Sequence, residues 1–329
     1  MMPKRMLAAL AVCLMALTAV SHAETVVTSF YPIYLFALNL CHGLEGVEVR
    51  NLAAPDFGCL HDYQLTVADM KALSRADVFL INGAGMEEYL THIYDALPGL
   101  KVVDASDHAA EVELLDDDGL PAEHHDDKRE HEDEEDEDHE HDHRGEDAHG
   151  HHHDVNPHIW MSVPNAEIMV SNLAAGLIET MPDREAAILK NRDAFLARLA
   201  ALDGELRSGT ADLARRDIVT FHEAFPYFAH AYGIRVAAVM AVEPGDALSA
   251  RDMIDLIAEE RELGNPPLFT EPQYVSRIAP TLAAETGASI YTLDPCVTGP
   301  EDPPLTWYED VMRANLASLR EALGAEEPR

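Results

Sequence analysis

From Thr25 to Val103 the chain alternates short apolar runs with stretches whose apolar residues recur at helical spacing. Brief apolar runs bounded by turn formers read as buried strands, and i, i+3, i+4 patterns read as helices. Strands are expected over Thr25–Ser29, Val47–Ala53, Val78–Ile81 and Leu100–Val103, the third ended by Asn82-Gly83. Helices are expected between them over Tyr31–Leu40, Thr66–Arg75 and Met86–Leu97, the second with Val67, Met70 and Leu73 inward and Asp69 and Lys71 outward. Two consecutive helices follow residue 155, Asn165–Met181 and Arg184–Arg207, broken by Pro182. At 1.5 Å per residue the second would reach roughly 36 Å, enough to span two lobes. The alternation then restarts, with strands over Ile218–Phe221, Val236–Met240, Leu268–Thr270 and Ile290–Leu293. Helices are expected over Phe225–Tyr232, Leu248–Leu263, Val275–Thr286 and Trp307–Leu323. Such repetition on both sides of a long helix predicts an α/β fold of two doubly wound βα lobes joined by that rigid helix. Ligands of these sheets sit at the carboxyl ends of the strands, so the loops after each strand are where chemistry is expected.

Two segments depart from the pattern. Lys4 and Arg5, the apolar run Met6–Val20 and the small residues of Ser21-His22-Ala23 have the order of a secretory signal peptide cleaved near Ala23. The run is too short for a membrane-spanning helix, which needs roughly 20 residues. Cys13 follows Val12 where a lipoprotein site wants a small residue, which disfavours lipid anchoring. Between Asp116 and Asp154 lie 19 acidic and three basic residues and 10 of the chain's 18 histidines, a charge of −16 across 39 positions. Almost no apolar residue there offsets ordering entropy, so a disordered insertion is expected. The resulting division is a signal peptide over 1–23, a first lobe over 24–115 and 155–182, the insertion over 116–154, a linking helix over 183–208 and a second lobe over 209–329.

The chain's 329 residues are enough for a substantial core without disulfide or metal staples. Sixty acidic against 23 basic residues give a formal charge of −37. That field repels phosphate backbones and anionic lipid heads, excludes nucleic acid as a reasonable partner and favours cations. An exported, soluble monomer is expected.

Four potential metal ligands fall in or beside strand-end loops. They are His61 in Gly58-Cys59-Leu60-His61-Asp62-Tyr63, His158 in Asn156-Pro157-His158-Ile159-Trp160, His222 after the strand ending at Phe221, and Asp294 after Leu293. Three imidazoles and one carboxylate suit a borderline divalent ion, with Zn²⁺ the natural occupant. Taken singly, a histidine at a strand end is more often a hydrogen-bonded structural residue, and an aspartate before proline a turn former.

The ordered stretches Gly58–Leu65, Ala76–Glu87, Asn156–Trp160, Thr220–Phe228 and Tyr291–Pro295 resemble the signature segments of the solute-binding receptors of zinc and manganese ABC importers. The resemblance spans essentially the whole chain after the leader. It implies a periplasmic receptor, not an enzyme, that delivers its ion to an ABC permease and its ATPase. It also implies a metal held in the cleft between two lobes by His61, His158, His222 and Asp294. Manganese receptors of this kind typically carry glutamate where His222 stands, and three imidazoles suit Zn²⁺ better than Mn²⁺. Asn156 departs from the aspartate more usual there, keeping a hydrogen bond but losing a charge. The usual Pro-His before Asp-Tyr is here Leu60-His61, so a glutamate sometimes found beside the first ligand is absent.

The acidic tract, with His124, His125, His131, His139, His141, His143, His149, His151, His152 and His153, resembles a loop of many zinc receptors. It reads as an auxiliary low-affinity collector of divalent ions or as a solvated loop without function. Beyond the leader the cysteines are Cys41, Cys59 and Cys296. Buried thiols without a bond are expected, with a Cys59–Cys296 pair the alternative. Rival functions are a manganese-type receptor, a metal-buffering or adhesive protein, and a zinc hydrolase using Glu223 as base. The last is disfavoured because four protein ligands leave no easy position for an activated water.

Overall fold

The computed structural model describes residues 23–58, 60, 63–116, 155–240, 249–274, 276 and 278–324. The leader and nearly all of the acidic tract lie outside the described residues, as do Cys59, His61 and Asp62. Among the described residues no helix is long and apolar enough to cross a membrane.

The chain forms two four-stranded parallel sheets. The first contains β1 (Glu24–Thr28), β2 (Val47–Asn51), β3 (Val78–Ile81) and β4 (Val102–Asp104), in the order β2-β1-β3-β4. Its helices are α1 (Tyr31–Leu40), α2 (Val67–Leu73), α3 (Leu90–Ala96) and α4 (Val163–Thr180). The 27-residue α5 (Glu185–Ala211) follows, about 40 Å long. The second sheet contains β5 (Asp217–Thr220), β6 (Arg235–Val239), β7 (Leu268–Thr270) and β8 (Ile290–Thr292), in the order β6-β5-β7-β8. Helices α6 (Pro226–Tyr232), α7 (Ala250–Glu262), α8 (Ala279–Thr286) and α9 (Trp307–Leu323) complete this lobe. The two sheets therefore share one topology, in the predicted α/β class.

Three helices differ from the expected pattern. Val67 is not inward: it is the first residue of α2 and is 89 % exposed. The Thr66–Asp69 capping box starts the helix there, and a seven-residue helix leaves only Leu73 fully buried. Residues expected to open α3 at Met86 instead form a turn, because Gly83, Ala84 and Gly85 all have positive φ. An added Cβ at Gly83 would lie 1.8 Å from Asp104 Oδ1, so this sharp exit from β3 requires glycine. The third helix, α8, begins later than expected, at Ala279.

One continuous core crosses both lobes, and α5 packs against α1, α4 and α9. Buried hydrogen bonds close the seam between the lobes. Trp160 Nε1 donates to Pro295 O at 2.7 Å, Tyr308 Oη to Trp160 O at 2.7 Å, and Tyr31 Oη to Pro300 O at 2.8 Å. On α5, Arg198 meets the buried Glu309 carboxylate at 2.7 Å and also donates to Asn39, while Asn39 Nδ2 donates to Leu305 O at 3.0 Å. Opening the seam would exchange these bonds for bonds to water and expose the apolar surface around them, which disfavours a wide separation of the lobes.

Glu87, 4 % exposed, accepts from the backbone N–H groups of Asn82 at 2.8 Å and Gly83 at 3.1 Å, fixing the turn after β3. Burial pushes its carboxyl up to about 7. The folded chain thus binds this proton more tightly than the unfolded chain, whose glutamates titrate near about 4.3. Stability from Glu87 is full below that value and is lost as pH rises through about 7. Glu87→Gln removes the titration, at a pH-independent cost because its amide nitrogen cannot accept one of the two backbone N–H bonds. Relative to the parent it is expected to gain on the order of 3 kcal/mol between about pH 5 and about pH 8, measured by urea unfolding at both. A difference independent of pH would contradict this role.

Candidate metal centre in the seam

In each sheet the strand order reverses beside the central strand: β1 pairs with β2 and β3, and β5 with β6 and β7. A crevice opens at the carboxyl ends of strands at such a switch point. In the second sheet, His222 lies two residues beyond β5 and Glu271 directly follows β7. In the first sheet, Asn82 directly follows β3, and its Nδ2 donates to Pro157 O at 2.9 Å, placing the residue before His158.

His158 is 1 % exposed and its ring centroid is 4.8 Å from that of His222, with an interplanar angle of 87°. Both His158 N and Nδ1 lie 3.0 Å from Asn156 Oδ1. The backbone N–H can only donate, so that atom is the carboxamide oxygen and Nδ1 must donate to it as well. The His158 lone pair therefore sits on Nε2. His222 reaches the same state through Glu271, whose carboxylate oxygens are 3.1 and 3.3 Å from Nδ1. Glu271 is buried and also accepts from Gln273 Nε2. A carboxylate accepts only, so the neutral imidazole again carries its lone pair on Nε2.

Asp294 stands two residues beyond β8. Its Oδ1 accepts from Cys296 N at 2.7 Å, and Asn315 brackets its backbone with two 2.8 Å bonds. Burial raises its carboxyl above the ordinary range, the Cys296 N–H opposes this, and the nearby Glu271 charge adds to it. A divalent cation would relieve both effects by neutralising the buried charge. The next residue, Pro295, accepts from Trp160, whose ring lies 5.2 Å from that of His158. His61 is outside the described residues. Gly58, three residues earlier, lies near Tyr274, whose ring centroid is 6.1 Å from that of His222. Among the described residues, no group of three His, Cys, Asp or Glu side chains closes around one point. His158 and His222 are brought together, and Asp294 is linked to them through Pro295 and Trp160 on one side and the Glu271 charge on the other.

Of the tract, only Asp116 is described. Its two ends meet beside this centre: Asn156 N donates to Leu115 O at 2.8 Å, and the Tyr227 hydroxyl accepts from Leu115 N at 3.0 Å and donates to Asn156 O at 2.7 Å. Cys41 and Cys296 are buried and form no disulfide. Burial pushes the Cys41 thiol up to about 12. Glu223, the base candidate of the hydrolase reading, has an exposed side chain. The glutamate beside His222 is Glu271, 49 residues away in sequence. Its only advance signal was its place directly after a buried strand.

Two doubly wound lobes with a pair of imidazoles meeting in the seam define the architecture of a two-lobed binding protein. Three comparisons make this specific. The family model "Zinc-uptake complex component A periplasmic" (ZnuA) matches residues 26–322. The high-affinity zinc uptake system protein ZnuA of Bacillus subtilis is 30% identical over 301 residues, covering 91% of this chain and 87% of the relative. The zinc-binding protein AdcA of Streptococcus pyogenes is 29% identical over 301 residues. That match takes in 90% of this chain but 55% of AdcA, so the chain spans about half the length of this relative. A crystal structure of ZnuA superposes with a TM-score of 0.69 at 25% identity, covering 92% of this chain and 100% of that one. The chain belongs to the ZnuA family of periplasmic zinc-uptake components, a family of substrate-binding receptors rather than enzymes.

Proposed function

We propose that the protein is an extracytoplasmic receptor that captures Zn²⁺ in the seam and hands it to an ABC permease driven by a partner ATPase. The observation that carries this reading is the His158–His222 pair. The two rings, His158 buried and His222 half-buried, belong to different lobes, and each has Nδ1 bonded to an acceptor so that Nε2 bears the lone pair. His61 and Asp294 complete the proposed ligand set. Zinc-uptake relatives support the cargo, and imidazole-rich coordination favours Zn²⁺ over Mn²⁺. The leader ending near Ala23 directs the chain to the periplasm, where it acts as a monomer. The hydrolase reading is disfavoured because Glu271 faces Nδ1 of His222, leaving it to orient the ring and not to activate water at Nε2.

The tract of ten histidines serves as a separate, low-affinity collector. Equilibrium metal analysis of the full protein and of a variant lacking residues 116–154 tests both parts. One tight zinc ion per chain is expected in each, with fewer total ions after deletion. Zinc should raise the melting temperature, while manganese at equal concentration should do little. Loss of the tight ion on deletion, or equal shifts with both metals, would overturn the assignment.

A further inference from the structure

Asn156 is fully buried, and every polar group it has is engaged. Its Oδ1 receives His158 N and Nδ1, both at 3.0 Å, and its Nδ2 donates to Glu223 O at 2.9 Å. Its backbone N–H bonds Leu115 O at 2.8 Å, and its carbonyl receives the Tyr227 hydroxyl at 2.7 Å. The carboxamide orientation is forced at both ends by backbone groups of fixed sense: His158 N–H can only donate and Glu223 C=O can only accept. One end of a single side chain thus sets the ring of His158, and the other end holds the carbonyl of Glu223, the residue directly after His222.

We propose that Asn156 is a positioning residue that couples the two histidine loops across the seam, and that this requires a carboxamide because one group must accept and donate at once. The inference rests on the reading of His158 and His222 as zinc ligands. An aspartate would keep the acceptor toward His158 but would set a carboxylate oxygen against the Glu223 carbonyl, losing the bond that spans the lobes. The extra negative charge would pull the other way, toward tighter cation binding. The sign of the change therefore separates positioning from charge.

The test uses the full-length protein carrying Asn156→Asp. Zinc affinity is read by chelator competition, and site geometry by the visible absorption of the Co²⁺-loaded form. Affinity is expected to fall by about tenfold, the lower end of the range for altering a partner that orients a metal ligand, because the acceptor toward His158 is kept while the bond to Glu223 O is lost, and the cobalt spectrum should change. Unchanged or tighter zinc binding overturns the proposal. So does a lower melting temperature of the metal-free protein with affinity and spectrum unaltered, since Asn156 would then be a fold residue only. Should that variant not fold, Tyr227→Phe decides. It removes the hydroxyl that fixes Asn156 O, and is expected to cost about tenfold in zinc affinity, the lower end of that range; parental affinity overturns the coupling. His158→Ala and His222→Ala are measured in parallel. If both keep parental affinity, the ligand reading itself fails. If both are impaired while Asn156→Asp is not, only the coupling fails.

Discussion

Alanine at His222 is expected to weaken zinc binding by more than about 100-fold, beyond the loss caused by removing a partner that only orients a ligand. The imidazole would contribute a direct bond to the ion, and its removal also leaves the buried Glu271 carboxylate without its ring partner. That carboxylate would face the seam with Gln273 as its remaining hydrogen-bond donor among the described contacts. The zinc-induced rise in melting temperature should shrink in parallel, because stabilisation by a bound ion follows its dissociation constant. Chelator competition measures the first effect and thermal unfolding with and without zinc the second. Parental values in both would remove His222 from the site.

Trp160→Ala is expected to destabilise the metal-free protein by about 4 kcal/mol, within the range for deleting a large buried aromatic. Trp160 has no exposed surface, its ring meets Phe30 edge-on at 5.0 Å, and Nε1 donates to Pro295 O. Alanine leaves a cavity in the first lobe and takes away the partner of a carbonyl in the second, so both packing and seam are damaged. Urea unfolding monitored by far-UV circular dichroism would report the loss. A change below about 1 kcal/mol would mean that the seam relaxes around the gap, against the close packing described here.

Much of this architecture was legible along the chain. Val78–Ile81 was bounded correctly because four consecutive buried residues followed by Asn-Gly admit little else. Helix α5 was expected from Arg184 to Arg207 and runs from Glu185 to Ala211. Its polar surface obscured the end, since periodicity weakens where few side chains are buried. Short helices were read less well, as at Val67, where the position of the cap decided which residues faced the core.

The candidate ligands were found at strand ends because parallel βα repeats bring those ends to one side, a rule that depends on local pattern alone. Of their hydrogen-bond partners, only Asn156, two residues before His158, is legible in the sequence. Glu271 lies 49 residues from His222, and the Asn156 donor reaches Glu223 across 67. Local spacing encodes neither pair: the first arises when β5 and β7 align within one sheet, the second when the two lobes are docked. The amino-acid sequence by itself determined the βα alternation, the acidic tract and the residue types able to bind a cation, because these follow from hydrophobic period, charge and side-chain chemistry. Tertiary structure alone decided that His158 and His222 lie 4.8 Å apart, and that a carboxamide backs one ring while a carboxylate backs the other. The physical reason is that ring orientation and tautomer are set by buried partners brought into place by strand pairing for Glu271 and by the chain's path around His158 for Asn156.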